Sequence, residues 1–205
     1  MKDIHPIWKN FFVLEGLDGS GTTSQLKKLT NYCESEGISN FGTWEPTDQP
    51  IGKLIRRVLH QEISIEPETM ARLFTADRYE HLYGAQDGIR MRLDRGEKVF
   101  CDRYLFSSLA YQSLGCDFDK ILDLNPFPLP EKVFYVDVTA ADCLKRRSNR
   151  DIEELYDALR LQEELAGNYR KALRTFEGLG MEVHMVNGSL SIDEVFEEIK
   201  SHIFT

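Results

Sequence analysis

The feature that most constrains this chain is a ten-residue stretch, Gly16-Leu17-Asp18-Gly19-Ser20-Gly21-Thr22-Thr23-Ser24-Gln25, which follows the apolar run Phe11-Phe12-Val13-Leu14. A buried strand that passes through three glycines into a helix leaves few architectures open. Gly16, Gly19 and Gly21 allow backbone N–H groups to converge on one point, and a helix N-terminus beyond them adds a favourable dipole for an anion. The phosphate-loop pattern GxxxxGK[ST] is met at every position but one. Thr22 stands where the lysine belongs, and Thr23 fills the hydroxyl position that meets Mg2+. An ordinary glycine-rich strand-to-helix turn is the competing reading.

The rest of the chain alternates. Strands are expected at 11–15, 40–44, 98–101, 132–136 and 181–186. Helices are expected over 22–37, 51–60, a long stretch from Pro67 to Arg95 stopped by Gly96, 106–114, 155–177 and 192–203. Leu155, Leu159, Leu165, Tyr169, Leu173 and Phe176 keep one helical face apolar. Strand and helix in repeated order imply an α/β fold, a five-stranded parallel sheet with helices on both faces, in one domain spanning 1–205. Ligands in such sheets sit at the carboxyl ends of the strands. Three polar clusters fall there: the loop after residue 15, Glu45-Pro46, and Asp102-Arg103.

Composition removes several function classes. The net charge of −9 argues against a nucleic-acid or anionic-membrane partner. No apolar run approaches the ~20 residues that cross a bilayer. Cys33, Cys101, Cys116 and Cys143 form no CxxC pair, which points away from zinc and disulfides and toward the cytoplasm. One basic cluster stands out, Lys145-Arg146-Arg147-Ser148-Asn149-Arg150. It is either a solvated helix face or a local anion site.

Asp102 closes a short apolar strand, where a magnesium-holding aspartate sits in P-loop enzymes. Arg103 follows at once, and a guanidinium binds phosphate through two parallel hydrogen bonds.

Four segments in order, FFVLEGLDGSGTTSQL, TWEPTDQPIGKLIR, ARLFTADRYEHL and VFCDRYLFSSLAYQ, resemble the thymidylate kinase family; a fifth, RRSNRDIEELYDALRLQEELAGNYRKAL, is similar to its lid and following helix. The resemblance implies a P-loop kinase with a short lid at about 140–155 that phosphorylates dTMP with ATP and Mg2+, as a homodimer. It assigns ATP to Gly16, Asp18, Gly19, Ser20, Gly21, Thr22, Thr23, Ser24, Arg146 and Arg150. Mg2+ falls to Thr23 and Asp102. For dTMP it implies Glu45 and Pro46, with Phe74 stacked on the thymine and Arg78 donating to the base O4. Arg103 meets the phosphate, Ser107, Ser108 and Gln112 lie by the base, Tyr111 presses on the sugar C2′, and Asp18 accepts from the 3′-hydroxyl. The Glu45–Pro46 peptide is a candidate cis bond.

The chain departs from the family twice. The loop reads Gly21-Thr22-Thr23 instead of GKS or GKT, and Trp44-Glu45-Pro46 replaces Arg-Glu-Pro. Both changes remove a cation. Lys27 and Lys28 lie more than a turn along the helix, and Lys9 lies at the far end of the strand. The lid arginines are the better source, and Arg147 and Arg150 are expected, with Arg103 and Asp18, to form the catalytic set. Two other readings stand beside an active dTMP kinase: a nucleotide-binding relative with weak or no turnover, and a kinase of another pyrimidine monophosphate such as dUMP.

Overall fold

The computed structural model describes residues 5–147 and 152–204. In chain order it places β1 (Ile7–Glu15), α1 (Thr22–Ser35), β2 (Asn40–Trp44), α2 (Pro50–Leu59), α3 (Pro67–Tyr83), α4 (Ile89–Asp94), β3 (Lys98–Asp102), α5 (Leu105–Tyr111), α6 (Phe118–Asp123), β4 (Leu129–Asp137), α7 (Ala140–Arg147), α8 (Ile152–Thr175), β5 (Glu182–Asn187) and α9 (Ile192–Ile203). The sheet order is β2-β3-β1-β4-β5, with every pairing parallel. β1 is therefore central, and its carboxyl end opens between β3 and β4.

The apolar run at the end of β1 reads without alternation because both faces of the sheet are covered. Phe11 and Val13 pack on one face with Val99, Cys101, Leu109 and Tyr169. Phe12 and Leu14 pack on the other with Leu26, Leu29, Phe100, Phe134 and Ile199. The helices thus lie on both faces, as expected.

Beyond the added helix α7 and shifts of a few residues at other element ends, three differences from the sequence reading are informative. β1 starts at Ile7, where it pairs with Leu129 of β4, and Asn10, at φ 60, lies where the register shifts between Trp8 and Phe12 and breaks the apolar pattern. The stretch from Pro67 to Arg95 is two helices. A Cβ at Gly84 would stand 2.6 Å from the Glu80 carbonyl oxygen, and one at Gly88 would stand 2.8 Å from Gly84. The chain turns there by packing backbone on backbone. The third difference is α6, whose start Asp117 caps by accepting from the N–H groups of Asp119 and Lys120.

Candidate active site

The phosphate loop is built by backbone conformation. Gly21 caps α1 at φ 104, in the left-handed region that residues with a side chain rarely enter. A Cβ at Gly16 would lie 2.5 Å from Ser20 Oγ, so the loop closes on itself only with glycine there. Ser24 and Gln25 turn their N–H groups onto the Gly21 carbonyl. The N–H groups of Gly19, Gly21, Thr22 and Thr23 meet no backbone acceptor among the described residues. That is the arrangement of an anion cradle at a helix start.

Thr22 occupies the first helical position and is 5% exposed. Thr23, beside it, donates its hydroxyl to Asp102 Oδ2 at 2.6 Å. The other oxygen, Asp102 Oδ1, is buried with no hydrogen-bond partner among the described residues. A hydroxyl and a carboxylate with a free oxygen are the hard donors a divalent cation takes. No group of three His, Cys, Asp or Glu side chains able to hold a metal occurs among the described residues. A cation here would complete its shell from phosphate and water.

Next to the loop lies a cavity of about 430 Å3. Its lining contains all ten residues expected at an acceptor nucleotide: Asp18, Glu45, Pro46, Phe74, Arg78, Arg103, Ser107, Ser108, Tyr111 and Gln112. Phe74 is half-buried and belongs to neither core cluster, so its ring faces the cavity rather than the interior.

Arg78 is 1% exposed. Its Nε and Nη2 donate to Glu45 Oε2 at 2.9 and 2.6 Å, Nη2 also donates to Ser108 Oγ at 2.9 Å, and Nη1 donates to Asn125 Oδ1. Four of the five guanidinium N–H groups are thereby committed. Glu45 Oε1 lies 3.1 Å from His81 Nδ1, and His81 Nε2 lies 2.7 Å from Thr43 Oγ1. Burial pushes the Glu45 carboxyl up, but Arg78 and His81 outweigh it and hold it below its ordinary range. One carboxylate oxygen, Oε2, therefore aims Arg78, and the other, Oε1, is taken by His81. The Glu45–Pro46 peptide is cis, and Arg56 donates to the carbonyls of Pro46 and Thr47 at 2.5 Å each. Asp77 takes the N–H and hydroxyl of Thr47 at 2.7 and 2.6 Å.

Arg103 has φ 71. A left-handed non-glycine residue costs about 1–3 kcal/mol and persists where its surroundings over-determine it. Its Nη2 donates to Asp18 Oδ1 at 2.6 Å, and Nη1 donates to the Tyr169 hydroxyl at 2.9 Å. Burial holds the Tyr111 and Tyr169 phenols above their ordinary value, so they stay neutral beside it. Ser107, expected at the base edge, turns its hydroxyl instead to Glu15 Oε2 at 2.6 Å and lies 2.8 Å from the Tyr169 hydroxyl.

The basic cluster contributes Arg146. Its Nη1 donates to the carbonyls of Ser20 and Gly19 at 3.2 and 3.4 Å, and Nη2 donates to that of Gly188 at 2.9 Å. One guanidinium thus bridges the phosphate loop and the loop after β5. Arg150 and the side chain of Arg147 lie outside the described residues. Lys9 and Lys28 pair elsewhere, with Glu131 and Asp193.

Glu15, His81, Asn125 and Tyr169 were missed as site residues by sequence reasoning. Glu15 carried a signal, a charge closing an otherwise apolar buried strand. Tyr169 was legible only as part of an apolar helix face, and Asn125 and His81 gave none.

Comparison with known proteins agrees with this geometry. The chain is 39% identical over 201 residues to a Treponema pallidum protein named "Putative thymidylate kinase", covering 96% of each chain. It is 38% identical over 197 residues to a "Probable thymidylate kinase" of Pyrococcus horikoshii, covering 92% of this chain and 93% of that one. A protein of the same name from Thermococcus kodakarensis is 35% identical over 206 residues, with 95% and 97% covered. The family model described as thymidylate kinase matches residues 14–199, and the chain belongs to the thymidylate kinase family.

Proposed function

We propose that this chain transfers the γ-phosphoryl group of ATP to dTMP, giving dTDP and ADP. The observation that carries the reading is the cavity in which Phe74, Arg78 and Arg103 converge beside the phosphate loop. Phe74 offers an aromatic face to a base. The one uncommitted N–H of Arg78 suits a carbonyl at a base edge. Arg103 suits the acceptor phosphate, and Asp18 holds Arg103 until that phosphate arrives.

The donor phosphates fit the amides of Gly19 to Thr23, with Arg146 at the loop's rim. An oxygen of the dTMP phosphate attacks the γ-phosphorus in line, and the bond to the ADP oxygen breaks. Little covalent chemistry is asked of the protein, so positioning and charge neutralisation dominate. Thr23 and Asp102 would hold Mg2+, which neutralises charge on the β- and γ-oxygens when bound. The cation lost at Thr22 is assigned to the lid arginines, Arg146 on the geometry above and Arg147 and Arg150 by position in the sequence.

The same reading makes the chain one domain with a lid at about 140–155, placed in the cytoplasm and paired as a homodimer. Leu54 of α2 and Tyr79 and Tyr83 of α3 are exposed apolar candidates for the pairing face. Among the described residues no helix is long and apolar enough to cross a membrane.

An ADP-release assay with dTMP, dUMP and dCMP as acceptors tests the activity. Release with dTMP supports it. Faster release with dUMP would reassign the substrate. Tight dTMP binding without release would make the chain a binding protein.

A further inference from the structure

Glu15 is a charged side chain at the inward end of a buried strand, 0% exposed and outside the cavity lining. A solitary buried carboxylate persists only where its hydrogen bonds are fixed. Here they come from one element. Oε1 accepts from the N–H of Tyr104 at 2.8 Å and of Ser107 at 3.3 Å, and Oε2 accepts the Ser107 hydroxyl at 2.6 Å. Tyr104 is the N-cap residue of α5, which makes Ser107 its third helical position, and Tyr104 supplies no side-chain cap. These are the two backbone donors that a capping box satisfies from within one helix. In this chain β1 satisfies that of Tyr104 from outside the helix and shares that of Ser107 with the Tyr104 carbonyl, 3.0 Å away.

The residue before that cap is Arg103, in its left-handed conformation. Its own N–H donates to the Leu14 carbonyl at 2.9 Å. The last two residues of β1 therefore pin the turn on both sides, Leu14 at Arg103 and Glu15 at Tyr104. Ser107, held by Glu15, also stands 2.8 Å from the Tyr169 hydroxyl and 3.4 Å from Arg103 Nη1. The guanidinium rests on groups that Glu15 keeps in place.

We infer that Glu15 is a positioning residue that sets the affinity for the acceptor monophosphate without touching it, by fixing the Arg103 turn and the Ser107–Tyr169 rest beneath the guanidinium. This deepens the proposed function and rests on Arg103 meeting the acceptor phosphate.

The charged and titratable groups facing the carboxylate are Arg103 from the turn, Tyr169 from α8, Tyr135 from β4 and Cys101 from β3. Burial pushes the Glu15 carboxyl up to about 7, against the pull of Ser107 and Arg103. Burial holds the two phenols and the thiol above their ordinary values. Near neutral pH Glu15 alone of this set titrates. A phosphate dianion on Arg103 raises its proton affinity further, so binding draws a proton into the site.

The experiment uses the full chain and three forms, wild type, Glu15→Gln and Arg103→Ala. Glu15→Gln should raise the KM for dTMP about tenfold, a typical effect of a misplaced binding group, and leave the KM for ATP within about twofold. Calorimetry of dTMP binding to wild type at pH 7.5, in buffers of different ionisation enthalpy, should show net proton uptake. Glu15→Gln should lose that uptake. A wild-type KM for dTMP in Glu15→Gln, equal losses for dTMP and ATP, or a proton uptake that Glu15→Gln keeps would each overturn the inference. If Glu15→Gln does not fold, Ser107→Ala, which removes the 2.6 Å contact to Glu15 Oε2, is measured in its place, and a wild-type KM for dTMP in that variant would overturn the inference. Arg103→Ala separates the two claims. If it leaves dTMP binding intact, the assignment of Arg103 to the phosphate fails. If it abolishes binding while Glu15→Gln changes nothing, only the role of Glu15 fails.

Discussion

The Thr23 hydroxyl donates to Asp102 Oδ2 at 2.6 Å and joins the helix that opens the phosphate loop to the end of β3. Oδ1 of the same carboxylate is buried and has no hydrogen-bond partner among the described residues, which leaves it available to a further ligand.

Asp102→Asn should therefore lower kcat by about 10²-fold or more and raise the Mg2+ concentration needed for half-maximal rate, because charge on the transferred group is left unneutralised. Titration of activity with MgCl2 checks it. An unchanged magnesium requirement would remove Asp102 from the metal site.

Arg146 stands beside the loop that lacks its lysine. Arg146→Ala should raise the KM for ATP about tenfold, the loss of one charge-assisted hydrogen-bond donor. Thr22→Lys should not weaken ATP binding, and in the double variant it should recover part of the loss. Additive losses in the double variant would mean that Thr22 and Arg146 answer separate needs.

Phe74→Ala should weaken dTMP binding by about 1–3 kcal/mol, the usual worth of one base–aromatic stack, and leave ATP binding alone. Equilibrium binding of each nucleotide separates the two. Because Phe74 lies outside both cores, the melting temperature should fall little.

Glu45 behaves in the opposite way. Removing it strands the buried Arg78, and breaking one partner of a buried ion pair costs about 3–5 kcal/mol. Glu45→Ala should show this loss in thermal unfolding as well as weak dTMP binding. The carboxyl is held below its ordinary range, so its contribution is present above the unfolded value of about 4.3 and is lost as pH falls through the folded value. Wild type should lose stability in acid from this group, and a Glu45→Gln variant should lose less.

Glu15 carries the reverse sign. Its folded value, about 7, is raised, so the folded state holds an extra proton between roughly pH 4.3 and 7. Stability from this group is full below that window and falls as pH rises through it. A tenfold difference in proton affinity between the folded and unfolded chain is worth about 1.4 kcal/mol, so Glu15→Gln should gain on wild type by up to about 3 kcal/mol between pH 5 and pH 8. Denaturant unfolding at the two pH values measures it. An equal difference between the two forms at both pH values would mean that burial does not raise this carboxyl.

Much of the fold was legible because local signals and global packing agreed. The run Phe11–Leu14, the glycines after it and the apolar face around Tyr169 each pointed to one placement. Where they disagreed, tertiary contacts decided. Gly84 and Gly88 look like tolerable helix residues until their backbones are seen to touch. The site was legible in its cavity-facing residues, which belong to recognisable segments. Its supporting residues were not. Asn125, His81 and Glu15 act on neighbours 47, 36 and 89 positions away. Nothing local in the sequence records such distances.

The pairing of Leu14 with Asp102 has a consequence for how this site tolerates change. Register between β1 and β3 works as a ruler shared by both substrates. Phosphate loop, Asp102 carboxylate and Arg103 turn are all measured from the same two strand ends. A one-residue slip would move them by about 3.3 Å and send Glu15 to the opposite face of the sheet. Insertions in the loops around the cavity leave the ruler intact, whereas a single insertion within β1 or β3 would misalign donor and acceptor together.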